Sequence, residues 1–570
     1  MKKTRVYFFS VCLLILFVFI LYKLADIQLI STENYGEEQV NLLDNSVNQR
    51  TTEIKLSSGR GVFLDNLGVP LNNVIQKDIV VFPFVSTIEL PEKVRDKLSH
   101  ADLDWKEKLA NVDEAIYLSK LLDTSIQEGL YTTVKEEAIP GLVAVERTVQ
   151  GDPELASHLL GIVRSNPQEF QARYDDEKNQ PLGISGLEQT FDSFLQSKNE
   201  EKLMYHVDAK GSPLFGLSLR YLGQQDHFYP LKIQTTIDAT MQQIAEEVID
   251  EHQLEKGGLV LLDVKTRDVL AMVSRPKIDS NQPYINNTVE NQMLVRHFPG
   301  SVFKTVVAAA AIEQQHNSID KSYDCNLDLY GEGTANRELG VLNFAESFAQ
   351  SCNYTFAKIG NQLVATDPTI LETYADKLGL IGTTGWVGDL FHFSEFKQFP
   401  EEEQGIIWGN DEDRYVPRAI AQTSIGQKEV KVTPLALANM AATIAQDGKY
   451  KEVRAVAKIL YKDGTTMANF PSHQRPNQGI NVDTAKQLQQ LLAGVVDNGT
   501  GSSFSELPVA GKSGTAETGI SGNTNHWFVG YFPRENPQYA MAVVDLKQTS
   551  RQALNYKIFH DVVTKLLDNR

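Results

Sequence analysis

The stretch Phe298-Pro299-Gly300-Ser301-Val302-Phe303-Lys304-Thr305-Val306-Val307-Ala308-Ala309-Ala310-Ala311-Ile312-Glu313 decides how this chain is read. Pro299-Gly300 marks a turn, and the alanine-rich run after it predicts a buried helix. Ser301 and Lys304 stand three apart on that helix and share a face. A serine at a helix N-terminus meets free N–H groups and the positive end of the dipole, which favour developing negative charge. An amine three residues on can serve as its base if neutral. Lysine is neutral near pH 7 only when desolvated or placed beside another cation.

S-x-x-K alone is weak, because the chain has four copies, at Ser274, Ser301, Ser318 and Ser394. Pro276 inside the first copy spoils a helical pairing. Ser318 lies just past the alanine-rich helix and reads as a turn residue, and Ser394 opens a solvated polar stretch. Only Ser301 combines a turn, a helix start and a buried continuation.

Two more elements follow. Ser351-Cys352-Asn353 comes after a helix-like Leu342 to Gln350; the plain alternative is a helix cap, and S-x-N also occurs at Ser46, Ser197 and Ser521. Lys512-Ser513-Gly514 is the single K-[ST]-G, within Pro508-Val-Ala-Gly-Lys-Ser-Gly-Thr-Ala-Glu517. Its alternation of small and β-branched residues predicts an edge strand that a substrate backbone can approach closely. It is not the end of a P-loop, since Glu506 stands where that motif needs glycine. No H-E-x-x-H or paired C-x-x-C is present, and no metal or cofactor is implied. The 73 acidic residues offer many carboxylate pairs, but none has a glycosidase context.

The ends and the composition bound the rest. Val6 to Tyr22 is a run of 17 uncharged residues, at the short end of what spans a bilayer. Lys2, Lys3 and Arg5 precede it, which places the N-terminus in the cytoplasm and the remainder outside. Lys23-Leu24-Ala25-Asp26 lacks the small residues of a cleavage site, so an uncleaved anchor is expected. The 570 residues have a formal net charge of −19, with 73 Asp+Glu against 54 Lys+Arg. That balance argues against a general nucleic-acid binder, and a mean hydropathy of −0.26 argues against a polytopic membrane protein. Three cysteines, Cys12, Cys325 and Cys352, cannot build a disulfide framework.

Along the chain, residues 24 to 57 look like a stalk. From 58, glycines and Pro70 punctuate short β-branched runs, and residues 86 to 130 are helix-like. Phe228-Tyr229-Pro230 looks like a boundary. After it come a strand at Leu231–Ile237, a helix from Asp238 to Ile249, and strands at Gly258–Asp263 and Val269–Val273. Strands return at Trp527–Phe532 and Tyr539–Val544, and a helix near Ala553–Leu567 closes the chain. Strands at both ends with helices between predict an α/β sandwich whose sheet joins those ends.

S-x-x-K, S-x-N and K-[ST]-G at 301, 351 and 512 are far more specific in this order than singly, and penicillin-binding proteins and related β-lactamases carry the set. The chain resembles class B penicillin-binding proteins, monofunctional D,D-transpeptidases of bacterial cell-wall synthesis. Arg60-Gly61-Val62-Phe63-Leu64-Asp65-Asn66-Leu67-Gly68, Ala156 to Gly161 and Gly183 to Glu188 are similar to signatures of the family's pedestal domain. Leu262-Asp263, Ala271-Met272, Thr423 to Gln427, Thr433 to Leu435, Gly499-Thr500-Gly501 and Trp527 to Gly530 are similar to landmarks of its catalytic domain. Departures are Asn66-Leu67 for the usual Arg-Asn, and Arg267 and Lys428 where the family often has glycine.

The resemblance implies a cytoplasmic tip at 1–5, an anchor at 6–23, a stalk at 24–57, a pedestal of dimerisation type at 58–228 and a transpeptidase domain at 229–570. The implied fold is mixed α+β, with an antiparallel sheet covered by helices on both faces. Ser301 would be the acylated nucleophile and Lys304 its base. Ser351 would relay protons, Asn353 would hold the donor amide, and Lys512 would supply positive charge. Ser513 and Thr515, with Gly514 between them, would bind the terminal carboxylate, and the N–H groups of Ser301 and Thr515 would form an oxyanion hole. Peptidoglycan stem peptides, β-lactams and a membrane glycosyltransferase are the implied substrates, inhibitors and partner. Rival expectations are a D,D-carboxypeptidase or β-lactamase using water, a β-lactam sensor, and a non-catalytic scaffold of wall synthesis.

Overall fold

The computed structural model describes residues 2–32, 41, 51–57, 59–137, 139–150, 153–174, 180–196, 200–206, 220–222, 228–475, 477–519, 522–549 and 553–569. Half of the expected stalk, and the S-x-N copies at Ser46, Ser197 and Ser521, lie outside them. The chain forms two compact units that interleave: Met1–Gly59 with Val74–Val149 and Lys198–Asp226, and Arg60–Asn73 with Gln150–Ser197 and His227–Arg570. The last segment of the first unit ends at Asp226, and Arg60–Asn73 and Gln150–Ser197 group with the second.

In the first unit, helix α1 (Lys2–Ala25) runs on into a π-helical turn, Asp26–Ile30. The segment Arg5–Ile30 is long and apolar enough to cross a membrane. Two three-stranded sheets follow. One joins Thr51–Ser57, Glu201–His206 and Arg220–Leu222, and the other joins Ile116–Tyr117, Asn73–Val81 and Leu142–Gln150. Helices Glu92–Ala101 and Glu128–Glu137 bury Val94, Leu98, Leu130 and Val134 in one core with Ile79 and Val81.

The second unit is built on β1 (Gly257–Asp263), β2 (Val269–Arg275), β3 (Ala510–Glu517), β4 (Thr524–Phe532) and β5 (Tyr539–Gln548). Their order is β2-β1-β5-β4-β3, antiparallel throughout, so β1 lies beside β5 although they are far apart in sequence. Period-two alternation sends side chains to opposite faces. Leu259, Leu261, Val273, Phe528 and Val543 pack with α2 (Ala239–Glu251) and the last helix, Asn555–Asp568. Val260, Leu262, Met272, Val529 and Ala542 face the larger core. That core holds α3 (Lys304–Glu313), α4 (Phe344–Ala349), α5 (Asn353–Thr366), α6 (Pro434–Ala445) and α7 (Val482–Asn498); the last helix is α8. Asp238 caps α2 by accepting from the Met241 N–H at 3.0 Å, as its acidic start predicts.

The three motifs read as pedestal signatures meet inside this second unit. The buried Arg60 guanidinium lies 2.5 Å from Glu188 Oε2 and 2.7 Å from Asp192 Oδ1. Asn72 Nδ2 donates to Glu188 Oε1 at 2.6 Å. Val62–Leu64 then runs parallel to Lys232–Thr235, binding the start of the motif to the C-terminal body. These buried charges are paired and hydrogen-bonded, the condition for tolerating them in a core.

Arg267 and Lys428, the two residues standing where glycine is usual, both adopt left-handed backbone, with φ of 63° and 62°. That conformation costs an L-residue about 1–2 kcal/mol. Arg267 offsets it with hydrogen bonds to Asn439 Oδ1 at 2.8 Å, Gln446 Oε1 at 3.0 Å and the Lys449 carbonyl at 2.7 Å.

Candidate active site

Ser301 sits in a 3-10 turn, Gly300–Phe303, immediately before α3, rather than on the first turn of an α-helix as the spacing predicts. Gly300 explains the difference. Its φ is +55°, its N–H donates to the Gly426 carbonyl at 3.0 Å, and a Cβ there would meet the Thr515 carbonyl oxygen at 2.2 Å. A Cβ on Gly514 would meet the Pro299 carbonyl oxygen at 2.6 Å. Two glycines thus let the turn carrying Ser301 close onto β3, the edge strand predicted for Lys512-Ser513-Gly514.

Lys304 opens α3 and is fully buried. Its Nζ lies 2.8 Å from the Ser351 carbonyl oxygen, 3.1 Å from Ser351 Oγ and 2.7 Å from Asn353 Oδ1. Among the described residues no carboxylate pairs with it. Burial, then Lys512 and then Arg337, hold its pKa well below the usual lysine value. The Nζ donates to all three of these oxygens.

Ser351 lies between α4 and α5. The helix-like segment before it is in fact a short strand, Val341–Asn343, followed by α4, which Asn343 and Glu346 close with a capping box. Ser351 has a left-handed φ of 57°. Its N–H donates to the Phe348 carbonyl at 3.2 Å, and the Cys352 N–H donates to the Ser347 carbonyl at 2.8 Å. Cys352 is bridged to Cys325, so one disulfide ties the middle of the second motif to the core despite the low cysteine count.

Across the site, Lys512 is 1% exposed and donates to its neighbour's carbonyl, Ser513 O, at 3.1 Å. Burial, aided by Arg337, pushes its pKa down to about 7. Ser513 Oγ lies 2.6 Å from Thr500 Oγ1, and the Tyr556 hydroxyl on α8 donates to the Thr500 carbonyl at 3.0 Å. His526 on β4 is the register partner of Thr515, and burial lowers its pKa.

Ser301, Ser351, Asn353, Ser513, Gly514 and Thr515 line one cavity of about 320 Å³, at the lower end for small-molecule sites. Lys304 and Lys512 lie buried behind it. The other S-x-x-K serines are elsewhere: Ser274 is in β2 and accepts from the Gln292 N–H, Ser318 is in a 3-10 turn, and Ser394 is exposed on Phe393–Lys397. Arg337, Gln427, Thr500, His526 and Tyr556 also line the cavity without having been singled out. Thr500 and Gln427 stood within recognised landmarks, whereas Arg337, His526, Tyr556 and the Cys325–Cys352 pairing have no local signature.

The arrangement can perform acyl transfer: a serine hydroxyl in a tight turn, buried amines without carboxylate partners, and an edge strand for an extended peptide. Comparison with known proteins agrees. Residues 257–564 match the penicillin binding protein transpeptidase domain, and residues 55–219 match the penicillin-binding protein dimerisation domain. The chain is 26% identical over 347 residues to peptidoglycan D,D-transpeptidase PbpA of Mycobacterium tuberculosis, covering 55% of this chain and 66% of that protein, just under two thirds. It is 27% identical to stage V sporulation protein D of Bacillus subtilis, covering 85% and 73% of the two chains. With peptidoglycan D,D-transpeptidase FtsI of Escherichia coli the identity is 23%, over 94% and 85%. A chain from a structure on coordination of polymerization and crosslinking by a peptidoglycan synthase complex shares the fold, with a TM-score of 0.66, 23% identity and coverage of 98% and 97%. With the ordered motifs gathered in one cavity and the transpeptidase domain matched over more than half its length, the chain belongs to the class B penicillin-binding proteins.

Proposed function

We propose that this protein is a peptidoglycan D,D-transpeptidase that cross-links stem peptides through a Ser301 acyl-enzyme and is acylated by β-lactams. The observation that carries the reading is the buried Lys304 amine, bonded to Ser351 and Asn353 and free of any carboxylate among the described residues. Neutral Lys304 takes the Ser301 proton as Oγ attacks the penultimate D-Ala carbonyl. Backbone N–H groups of Ser301 and Thr515 hold the oxyanion; each such donor contributes roughly 3 kcal/mol in other acyl transferases. Ser351 passes the proton to the departing D-Ala nitrogen as the C–N bond breaks. An amine of a second stem peptide then attacks the ester, its proton returns through the same groups, and Ser301 Oγ is released. Asn353 holds the donor amide, and Ser513 with Thr515 receives the terminal carboxylate.

The apolar α1 is the membrane anchor in this reading, with Lys2, Lys3 and Arg5 on the cytoplasmic side and the catalytic unit outside. A membrane glycosyltransferase is the expected partner, in keeping with the structural neighbour's role in a complex that couples polymerisation to cross-linking. Ser301→Ala should abolish covalent labelling by a fluorescent penicillin; retained labelling would overturn the assignment. Cross-linked dimer formed alongside released D-Ala separates a transpeptidase from a carboxypeptidase, which releases D-Ala alone.

A further inference from the structure

Resting on that reading, we propose that His526 is the base that takes the excess proton from the acceptor ammonium before the amine attacks the Ser301 acyl-enzyme. A free amine on a stem peptide is an ammonium at neutral pH, one proton richer than the nucleophile this step needs. Lys304 and Ser351 carry one proton, the one that ends on Ser301 Oγ, so the excess proton calls for a second base. Among the described residues lining the cavity none is Asp, Glu or Lys, and His526 is the one whose side chain offers a basic lone pair near neutrality.

His526 on β4 is the register partner of Thr515 on β3 and of Asp545 on β5, so the three residues form a row on one face of the sheet. Directly opposed partners stand about 5 Å apart at Cβ. Thr515 is tied in turn to the nucleophile's turn, since a Cβ on Gly300 would meet its carbonyl oxygen at 2.2 Å. In the reading above, Thr515 helps hold the D-Ala that departs. Attack by a new amine is the reverse of that departure, so the incoming nitrogen arrives through the place D-Ala has left, on the side of the cavity that Thr515 and its partner line. His526 Nε2 pairs with Thr524 Oγ1 at 2.8 Å, and among the described residues nothing hydrogen-bonds its Nδ1. With Nε2–H donating to the threonine, the Nδ1 lone pair is left to accept a proton. Burial favours the neutral ring and lowers its pKa, and Asp545, fully buried with Oδ2 accepting from the Leu554 N–H at 2.9 Å, favours the imidazolium once it forms. The other titratable or charged groups on the surrounding elements are Glu517 on β3, Tyr556 on α8 and Arg337, which lines the same cavity. In the step, the acceptor's excess proton passes to Nδ1 and the neutral nitrogen bonds the acyl carbon. The ester C–O bond breaks, and a second N–H proton reaches Ser301 Oγ through Ser351 and Lys304. The imidazolium then returns its proton to solvent.

Water brings no excess proton, so hydrolysis of the same acyl-enzyme has no need of this base. The test is therefore the ratio of amide to free acid formed from one acyl-enzyme, which does not depend on how much of a variant is folded. The full chain is acylated with an N-acyl-D-alanyl thioester and offered one of two amines at about pH 7.5: D-alanine, an ammonium there, or hydroxylamine, already neutral. His526→Asn should lower the D-alanine ratio about tenfold or more and move the hydroxylamine ratio by less than about twofold. The D-alanine defect should shrink as pH rises toward about 10, where the free amine is present without a base. In the wild type, the D-alanine ratio should fall as pH drops through the lowered pKa of His526. An unchanged D-alanine ratio in His526→Asn, or an equal fall with both amines, would overturn the proposal. A wild type that neither the thioester nor penicillin acylates would overturn the Ser301 reading itself, a failure distinct from these.

Discussion

Lys304 Nζ lies 2.7 Å from Asn353 Oδ1, so the amine of the first motif is held by the last residue of the second. The contact is made through a buried side chain with no carboxylate partner among the described residues, which bears on both its proton chemistry and its sensitivity to pH.

Acylation should fall as pH drops through the lowered pKa of Lys304. Lys304 must be neutral to accept the Ser301 proton, and its depressed pKa provides this only on the alkaline side of that value. Lys304→Arg, charged at every pH, should lower the labelling rate by about 10²–10⁴-fold without recovery at high pH. Rates of fluorescent-penicillin labelling between pH 5.5 and 9 check both outcomes.

Lys512 should make stability rise with pH. Its folded pKa of about 7 lies below the ordinary 10.5, so between those values the unfolded chain binds more protons. Stability then increases with pH across that window. Lys512→Met should raise the unfolding temperature at pH 7 by about 2–4 °C for each kcal/mol recovered, and should abolish labelling. Thermal unfolding at pH 7 and pH 10 should show the gain shrinking at the higher pH.

Gly300→Ala should damage the site more than the fold. A Cβ would strike the Thr515 carbonyl and occupy backbone at φ +55°, costing about 1–2 kcal/mol in conformation alone. Acylation should drop at least about tenfold, because the turn must move away from β3 and widen the gap between Ser301 and Thr515. Labelling kinetics with a denaturation curve separate the two effects.

Removing the Cys325–Cys352 bridge should cost about 3 kcal/mol of stability, from the freedom regained by a segment spanning 27 positions in the unfolded chain. Denaturant unfolding of Cys325→Ser, and of the parent under reductant, should show matching shifts of midpoint.

Much of this was legible from residues alone. Turn chemistry at Pro299-Gly300, the buried alanine run and the single K-[ST]-G located Ser301, Lys304 and Lys512, because each motif carries its own local structure. Strands β1, β2, β4 and β5 follow from runs of β-branched, aromatic and other apolar residues, and the cap of α2 from one aspartate. Arg337, His526 and Tyr556 gave no such sign, since each reaches the cavity by long-range packing. The fate of Arg60 was equally hidden: a local pattern cannot show that its partners are Glu188 and Asp192, or that this segment folds with the C-terminal body.

The sequence by itself determined which groups could take part, because a serine and a lysine three apart and a lysine in a strand of small residues are defined by residue type and short spacing. Tertiary structure decided what state those groups are in. The Lys304 pKa is lowered because the core buries its amine beside Lys512 and Arg337, and the turn carrying Ser301 meets the strand carrying Thr515 because Gly300 and Gly514 lack a Cβ. Burial and long-range proximity set charge, and neither is written in any local stretch of the chain.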